Sequence, residues 1–198
     1  MSFAVFILPT GQLRSDIISW KEKIKKTKIK NAYTLHPPHM TLINIEVTNE
    51  DNVVDSILNH KYDFSPFEIS VNSKSVFWDD YNTGGNTLYY GVANNTRLYK
   101  LQKMLAEIIF PYKKIIPAPK SIINDIKLSN SYEKYGFPFI GNHWIPHFSV
   151  SSLKTNKSNP LIKGFLSNEV QFDFIIDQFS LWRINGDEHI HLNNVFIR

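Results

Sequence analysis

Pro38-His39-Met40-Thr41-Leu42-Ile43 and Pro146-His147-Phe148-Ser149-Val150 decide the reading of this chain. Each stretch places a histidine two residues ahead of a hydroxyl side chain, inside an apolar run. Along a strand, residues two apart share a face. Each copy therefore presents an imidazole and a hydroxyl on one side. Met40 with Leu42, and Phe148 with Val150, go to the other side, where a core can take them.

The surroundings of the two stretches repeat in order, without repeating in sequence. The apolar run 3–8 reads as a strand ended by Pro9. Leu13, Ile17, Trp20 and Ile24 then recur at helical spacing. The rest of that helix carries Lys21, Lys23, Lys25, Lys26 and Lys28, read as a solvated basic face. The first His-x-Thr strand follows near 39–45. Thr48 with Asp51 resembles a capping signal for a short helix containing Val53, Val54, Ile57 and Leu58. A strand starts at 67, a turn falls at 82–86, and 88–92 is the returning strand. A helix with Leu98, Leu101, Leu105 and Ile108 leads towards the second motif. Around that motif come a strand near 145–151 and a helix with Leu161, Ile162 and Phe165. An alternating strand at 170–176, a turn at 185–187 and a last strand at 190–197 complete the chain. The expectation is an α+β fold with two lobes related by a pseudo-twofold axis. Each lobe is an antiparallel sheet with flanking helices, and the motifs face each other across a cleft, in one bilobal domain spanning 1–198.

Segment 111–142 breaks the pattern. Pro111, Pro117, Pro119 and Pro138 argue against long regular elements there. A long loop in a compact chain suits a lid or binding loop, with Lys113, Lys114, Lys120, Tyr132 and Tyr135 as its candidate contacts.

Composition narrows the class. The 198 residues include 42% hydrophobic and 20% charged side chains, as a folded globular protein requires. The net charge of +4 favours a polyanionic ligand such as RNA or a nucleotide. No cysteine is present, which excludes disulfides, thiolate catalysis and cysteine-ligated zinc. No apolar run reaches the roughly 18–20 residues of a membrane span. Run 3–8 is also too short for a signal-peptide core. The expectation is a cytoplasmic monomer without a membrane partner.

Two His-x-Thr/Ser motifs on strands, 108 residues apart in matching contexts, resemble the two-histidine (2H) phosphoesterase superfamily. That group includes 2′,5′-RNA ligase-like proteins and cyclic nucleotide phosphodiesterases. The resemblance implies that His39 and His147 are an acid–base pair, while Thr41 and Ser149 hold the phosphate's non-bridging oxygens. It implies cleavage of a 2′,5′ linkage, a 2′,3′-cyclic phosphate or a cyclic oligonucleotide, with no cofactor and no metal. The chemistry is consistent, because imidazole titrates near neutral pH and either histidine can take either part. Ser149 in place of threonine keeps the hydroxyl donor. The competing class is a non-catalytic RNA- or nucleotide-binding module on the same fold.

Further candidates surround this quartet. Tyr33, Tyr90, Trp144, Trp182 and Arg183 fall on segments expected near the cleft and are candidate substrate contacts. Trp144 reads as a core or rim aromatic, with base stacking as its alternative role, and Arg183 as a phosphate clamp or a surface ion pair. His143 and Tyr89 are neighbours of the same kind. His36, His39, His189 and His191 offer a conceivable metal site. Prolines hold His36 and His39 out of a helix, however, and no acidic cluster completes a ligand set.

Overall fold

The computed structural model describes every residue except Tyr81 and Arg198. The chain opens with β1 (Ser2–Ile7), α1 (Gly11–Lys25), the short β2 (Asn31–Ala32), β3 (Met40–Ile45) and α2 (Glu50–Leu58). The hairpin of β4 (Phe67–Asp80) and β5 (Gly85–Val92) and then α3 (Thr96–Ile109) follow. Next come α4 (Lys120–Ile123), α5 (Ile126–Tyr135), β6 (His147–Leu153) and α6 (Pro160–Leu166). The chain closes with β7 (Phe172–Ile176), β8 (Gln178–Asn185) and β9 (Glu188–Phe196). No helix among the described residues is long and apolar enough to cross a membrane.

The strands pair in the order β7-β4-β5-β6-β3-β1-β8-β9, with β2 on β6. The path divides into two antiparallel halves joined by one residue pair, Met40 with Phe148. These halves are the two expected lobes. Elements β1-α1-β3-α2-β4 repeat as β5-α3-β6-α6-β8. The last strand of each repeat crosses over to pair with the first strand of the other: β4 on β5, and β8 on β1. The order thus differs from the sequence reading, which matched 170–176 to the strand at 67. In the fold β7 is an added edge strand on β4, and β8, beyond Asp177, is the counterpart of β4.

Alternation decides which faces are buried. Met40, Leu42, Phe148 and Val150 are inaccessible to solvent, while the histidines and hydroxyls between them stay partly exposed. In α1 the stripe Leu13, Ile17, Trp20 and Ile24 enters the core as its spacing requires. Lys21 joins that stripe at 4% exposure, whereas Lys23, Lys25, Lys26 and Lys28 remain in solvent. The solvated-face reading therefore fails at Lys21. Its position one turn after Ile17 buries its aliphatic stem, a capacity of long cationic side chains.

Two local expectations are also corrected. The helix cap at α2 is Asn49, whose side chain accepts from the Asn52 amide, one residue beyond the Thr48–Asp51 pair. Segment 111–142 holds two helices, because its prolines bound the stretch between 119 and 138 and leave it uninterrupted. Asp125 caps α5, and Gly136, at φ 72°, ends it in the left-handed conformation that glycine adopts without strain. Lys113 donates to the carbonyls of Glu133 and Lys134 at the same helix end. Lys114 pairs with Glu46, and Tyr135 donates to Glu107.

Candidate active site

The two histidines are held in the same way. His39 Nδ1 lies 2.7 Å from the Pro37 carbonyl, and His147 Nδ1 lies 2.6 Å from the Ile145 carbonyl. A carbonyl only accepts, so Nδ1 carries the proton in both rings and Nε2 is left open. In each case the bonded carbonyl lies two residues upstream, and a proline, Pro38 or Pro146, stands between. Its fixed φ restricts the turn that brings the carbonyl back to the ring.

The strand pairing around the motifs is equally matched. Phe6 faces Thr41, Tyr89 faces Ser149, and the register shifts immediately beyond each hydroxyl residue. Leu42 and Val150 are the residues skipped by these shifts. A bulge of this kind bends a strand and re-aims its side chains. Phe6 stacks on the His39 ring with centroids 3.9 Å apart and planes at 19°. Phe77 and Tyr89 meet the His147 ring edge-on at 4.9 and 5.2 Å. Trp144 Nε1 donates to the Thr41 carbonyl at 3.1 Å, fixing the backbone of the first motif.

His39, Thr41, His147 and Ser149 line one cavity of about 670 Å³. Its lining differs between the halves. His189 and, beyond it, His36 gather on the His39 side, Phe77 packs on His147, and Asp80 acts on both His147 and Tyr33. Phe137 and Phe139, from the 111–142 segment, add apolar wall.

The electrostatics follow this asymmetry. Burial pushes the His39 imidazole down to about 3; the Pro37 carbonyl opposes the shift, while His189, His36 and Lys21 reinforce it. Burial also lowers His147, but there the Ile145 carbonyl and the Asp80 carboxylate both favour the charged ring. Burial, with Lys25 nearby, brings Lys21 down to about 8. The Tyr33 hydroxyl is raised to about 12 by burial and by Asp80. Both shifts favour the neutral imidazole.

Of the other expected contacts, Tyr33, His143 and Trp144 line the cavity. Trp144 is only 4% exposed, a core aromatic whose indole is engaged with Thr41. Tyr90 lies in the core with its hydroxyl on Asp16, because strand alternation turns it away from its neighbour Tyr89. Arg183 is a two-pronged partner of Glu50 and lies outside the cavity lining. Trp182 sits behind Phe6, bonded to Ser180, and is absent from the lining. Lys113, Lys114, Lys120, Tyr132 and Tyr135 also lie outside it. His36, His189 and His39 cluster, whereas His191 turns to Trp182 and Asn194. Among the described residues no group of three or more His, Cys, Asp or Glu is arranged to hold a metal ion.

Sequence reasoning missed Lys21, Phe77, Trp78 and Asp80. The far end of β4 carries the last three, and its approach to the second motif follows from the strand exchange, which no local pattern announces.

Comparison with known proteins bears on the family and the fold. The sequence profile of the 2′-5′ RNA ligase superfamily matches residues 13–188. No curated protein matches the chain by sequence. Among solved structures, TT0787 of Thermus thermophilus is similar at a TM-score of 0.65 and 13% identity, over 100% of this chain and 98% of that one. LigT of E. coli complexed with 3′-AMP is similar at 0.59 and 12%, over 99% and 96%. Usb1 of Kluyveromyces marxianus is similar at 0.50 and 12%, over 96% and 97%.

Proposed function

Since the chain belongs to the 2′-5′ RNA ligase superfamily of 2H phosphoesterases, we propose that it is a phosphodiesterase of nucleotides or RNA working by histidine acid–base catalysis. One observation carries the reading: two imidazoles, each with Nδ1 tied to a carbonyl and Nε2 open, share a cavity with two motif hydroxyls. Nucleotide ligands in LigT structures, 3′-AMP and ATP among them, support a nucleotide in this cleft.

Thr41 and Ser149 donate to the non-bridging oxygens of the bound phosphodiester, where charge grows during attack. The phosphate's negative charge offsets the burial that keeps the rings neutral, so one imidazole becomes protonated with substrate in place. His147 is the better site for that proton, being next to Asp80, while Lys21, His36 and His189 oppose charge on His39. His39 Nε2 is then the base. It takes the proton of the attacking hydroxyl, from water or a ribose 2′-OH, as the new P–O bond forms. The bond to the leaving oxygen breaks, and His147 Nε2–H supplies its proton. A ribose nucleophile yields a cyclic phosphate; water opens one. Both proton transfers run through side chains of this chain, and the scheme requires no metal.

The test is product analysis in the presence of chelator. Its substrates are a 2′,3′-cyclic nucleotide, a 2′,5′-linked oligoadenylate and cyclic di- and trinucleotides. Turnover by the wild type and none by the His39→Ala/His147→Ala double variant is the expected result. No turnover of any of them, or activity lost to chelator and restored by zinc, overturns the reading.

A further inference from the structure

Lys21 occupies a core position of α1 yet ends in the catalytic cavity. It is 4% exposed, and its Nζ donates to the Tyr33 carbonyl at 2.6 Å. No carboxylate lies within ion-pair distance of it among the described residues. A buried cation without a counter-charge is costly, and it persists where something offsets that cost. Tyr33 itself is held at φ 67°, a left-handed conformation that is unfavourable for a tyrosine. The pseudo-symmetric fold does not demand this arrangement: the buried residues of α3 are Leu98, Leu101, Gln102, Leu105, Ala106 and Ile109, with no cation.

Two imidazoles extend this side; burial lowers the His36 ring, and a phosphate placed beside it favours its charged form. The His36 ring lies 5.3 Å from Tyr33 and 4.3 Å from His189. His189 is in turn 5.8 Å from His39, on the scale of a single nucleotide step. The carboxylate near His36 is Asp187, at 3.4 Å and 95% exposed, which leaves it free to swing away. Phe77 packs on the His147 ring, while the Asp80 carboxylate, which accepts from Thr83 and Thr87, acts on both His147 and the Tyr33 hydroxyl.

We propose that Lys21, with His36 and His189, forms a second phosphate subsite on the His39 side of the cleft, filled by a phosphate one nucleotide away from the one cleaved. The substrate class this selects is an oligonucleotide, linear or cyclic, over a nucleoside bearing a single phosphate. The inference rests on the phosphodiesterase reading for the identity of the first phosphate. Charge-assisted bonds from the ammonium to the second phosphate replace the missing counter-ion.

Equilibrium binding of adenosine 3′-monophosphate and adenosine 3′,5′-bisphosphate, by calorimetry, tests it without relying on turnover. The wild type is expected to bind the bisphosphate about tenfold or more tightly than the monophosphate. Lys21→Met should erase most of that preference, and His189→Asn, which keeps α1 intact, should reduce it. Three results overturn the subsite: no preference in the wild type, a preference that survives Lys21→Met, or equal loss of both ligands. The last would mean that Lys21 serves the cleaved phosphate or merely ties down Tyr33. Turnover of a 2′,3′-cyclic mononucleotide by the wild type reports separately on the phosphodiesterase reading. Turnover without bisphosphate preference keeps the reading and removes the subsite; the reverse pattern does the opposite. Comparing a linear 5′-phosphorylated dinucleotide with a cyclic dinucleotide, each with wild type and Lys21→Met, identifies which form supplies the second phosphate.

Discussion

Met40 of β3 pairs with Phe148 of β6, and each is the middle residue of its own His-x-Thr/Ser motif. Equivalent residues thus face one another across the line where the halves meet, so the pseudo-twofold axis passes between them. Both side chains are fully buried. Their neighbours on either side must therefore point the opposite way, and those neighbours are His39, Thr41, His147 and Ser149. One residue pair, held by core packing, brings the four polar groups of the site to one surface.

Phe148→Ala should accordingly damage stability and activity together. Truncating a buried phenylalanine costs about 3–5 kcal/mol, through lost burial and the cavity left behind. Because Phe148 also sets the register of the two motifs, kcat per folded molecule should drop as well. Denaturant titration gives the first quantity, and steady-state kinetics at a temperature where the variant is folded gives the second. An unchanged kcat would show that the motif geometry does not depend on this pair.

His39→Ala and His147→Ala should each lower kcat by about 10²–10⁴-fold, the range for loss of a positioned acid or base. The pH profile of kcat/KM should be bell-shaped. Its acid limb belongs to the base His39 and should lie well below pH 6.5, since burial, His189, His36 and Lys21 all disfavour the charged ring. His39→Ala should remove that limb, and His147→Ala the alkaline one. A single variant with wild-type activity would refute the paired scheme, and an exchange of the two limbs would reverse the roles.

The same shift makes a stability prediction. In the folded protein His39 binds a proton less readily than in the unfolded chain, where the value is about 6.5. Unfolding therefore takes up a proton, and acid favours the unfolded state. The contribution of His39 is intact above about pH 6.5 and is lost as the pH falls from there towards about 3. His39→Phe, which keeps a ring against Phe6, should flatten the dependence of stability on pH between about 4 and 6. Urea midpoints across that window measure it. A slope equal to that of the wild type would mean that the buried imidazole is not depressed.

What could be read from sequence follows the range of each interaction. The four motif residues were legible because strand alternation is a two-residue rule, and the paired contexts of Met40 and Phe148 made the repeat visible. Helical stripes such as Leu13, Ile17, Trp20 and Ile24 were legible for the same reason. Lys21 was not, since spacing alone does not say which edge of a stripe the core covers. Asp80 and Phe77 reach the second motif only because β4 crosses to the other half. For Arg183 the sequence leaves a phosphate clamp and an ion pair both open, because its partner Glu50 is distant in the chain.

Trp144 gives the last test, because its role is positional and separable from its bulk. Its Nε1 donates to the carbonyl of Thr41, the residue expected to hold phosphate, while its ring packs edge-on against Tyr99 at 5.5 Å. Trp144→Phe keeps an aromatic ring in that place and removes the donor, leaving the Thr41 carbonyl without its side-chain partner. A lost hydrogen bond of this kind costs about 1 kcal/mol of stability. The effect on catalysis should appear in kcat more than in KM, about tenfold, because a displaced Thr41 hydroxyl loses most where charge builds on the phosphate. Trp144→Phe with an unchanged kcat and a raised KM would instead return Trp144 to the role of a stacking surface for substrate.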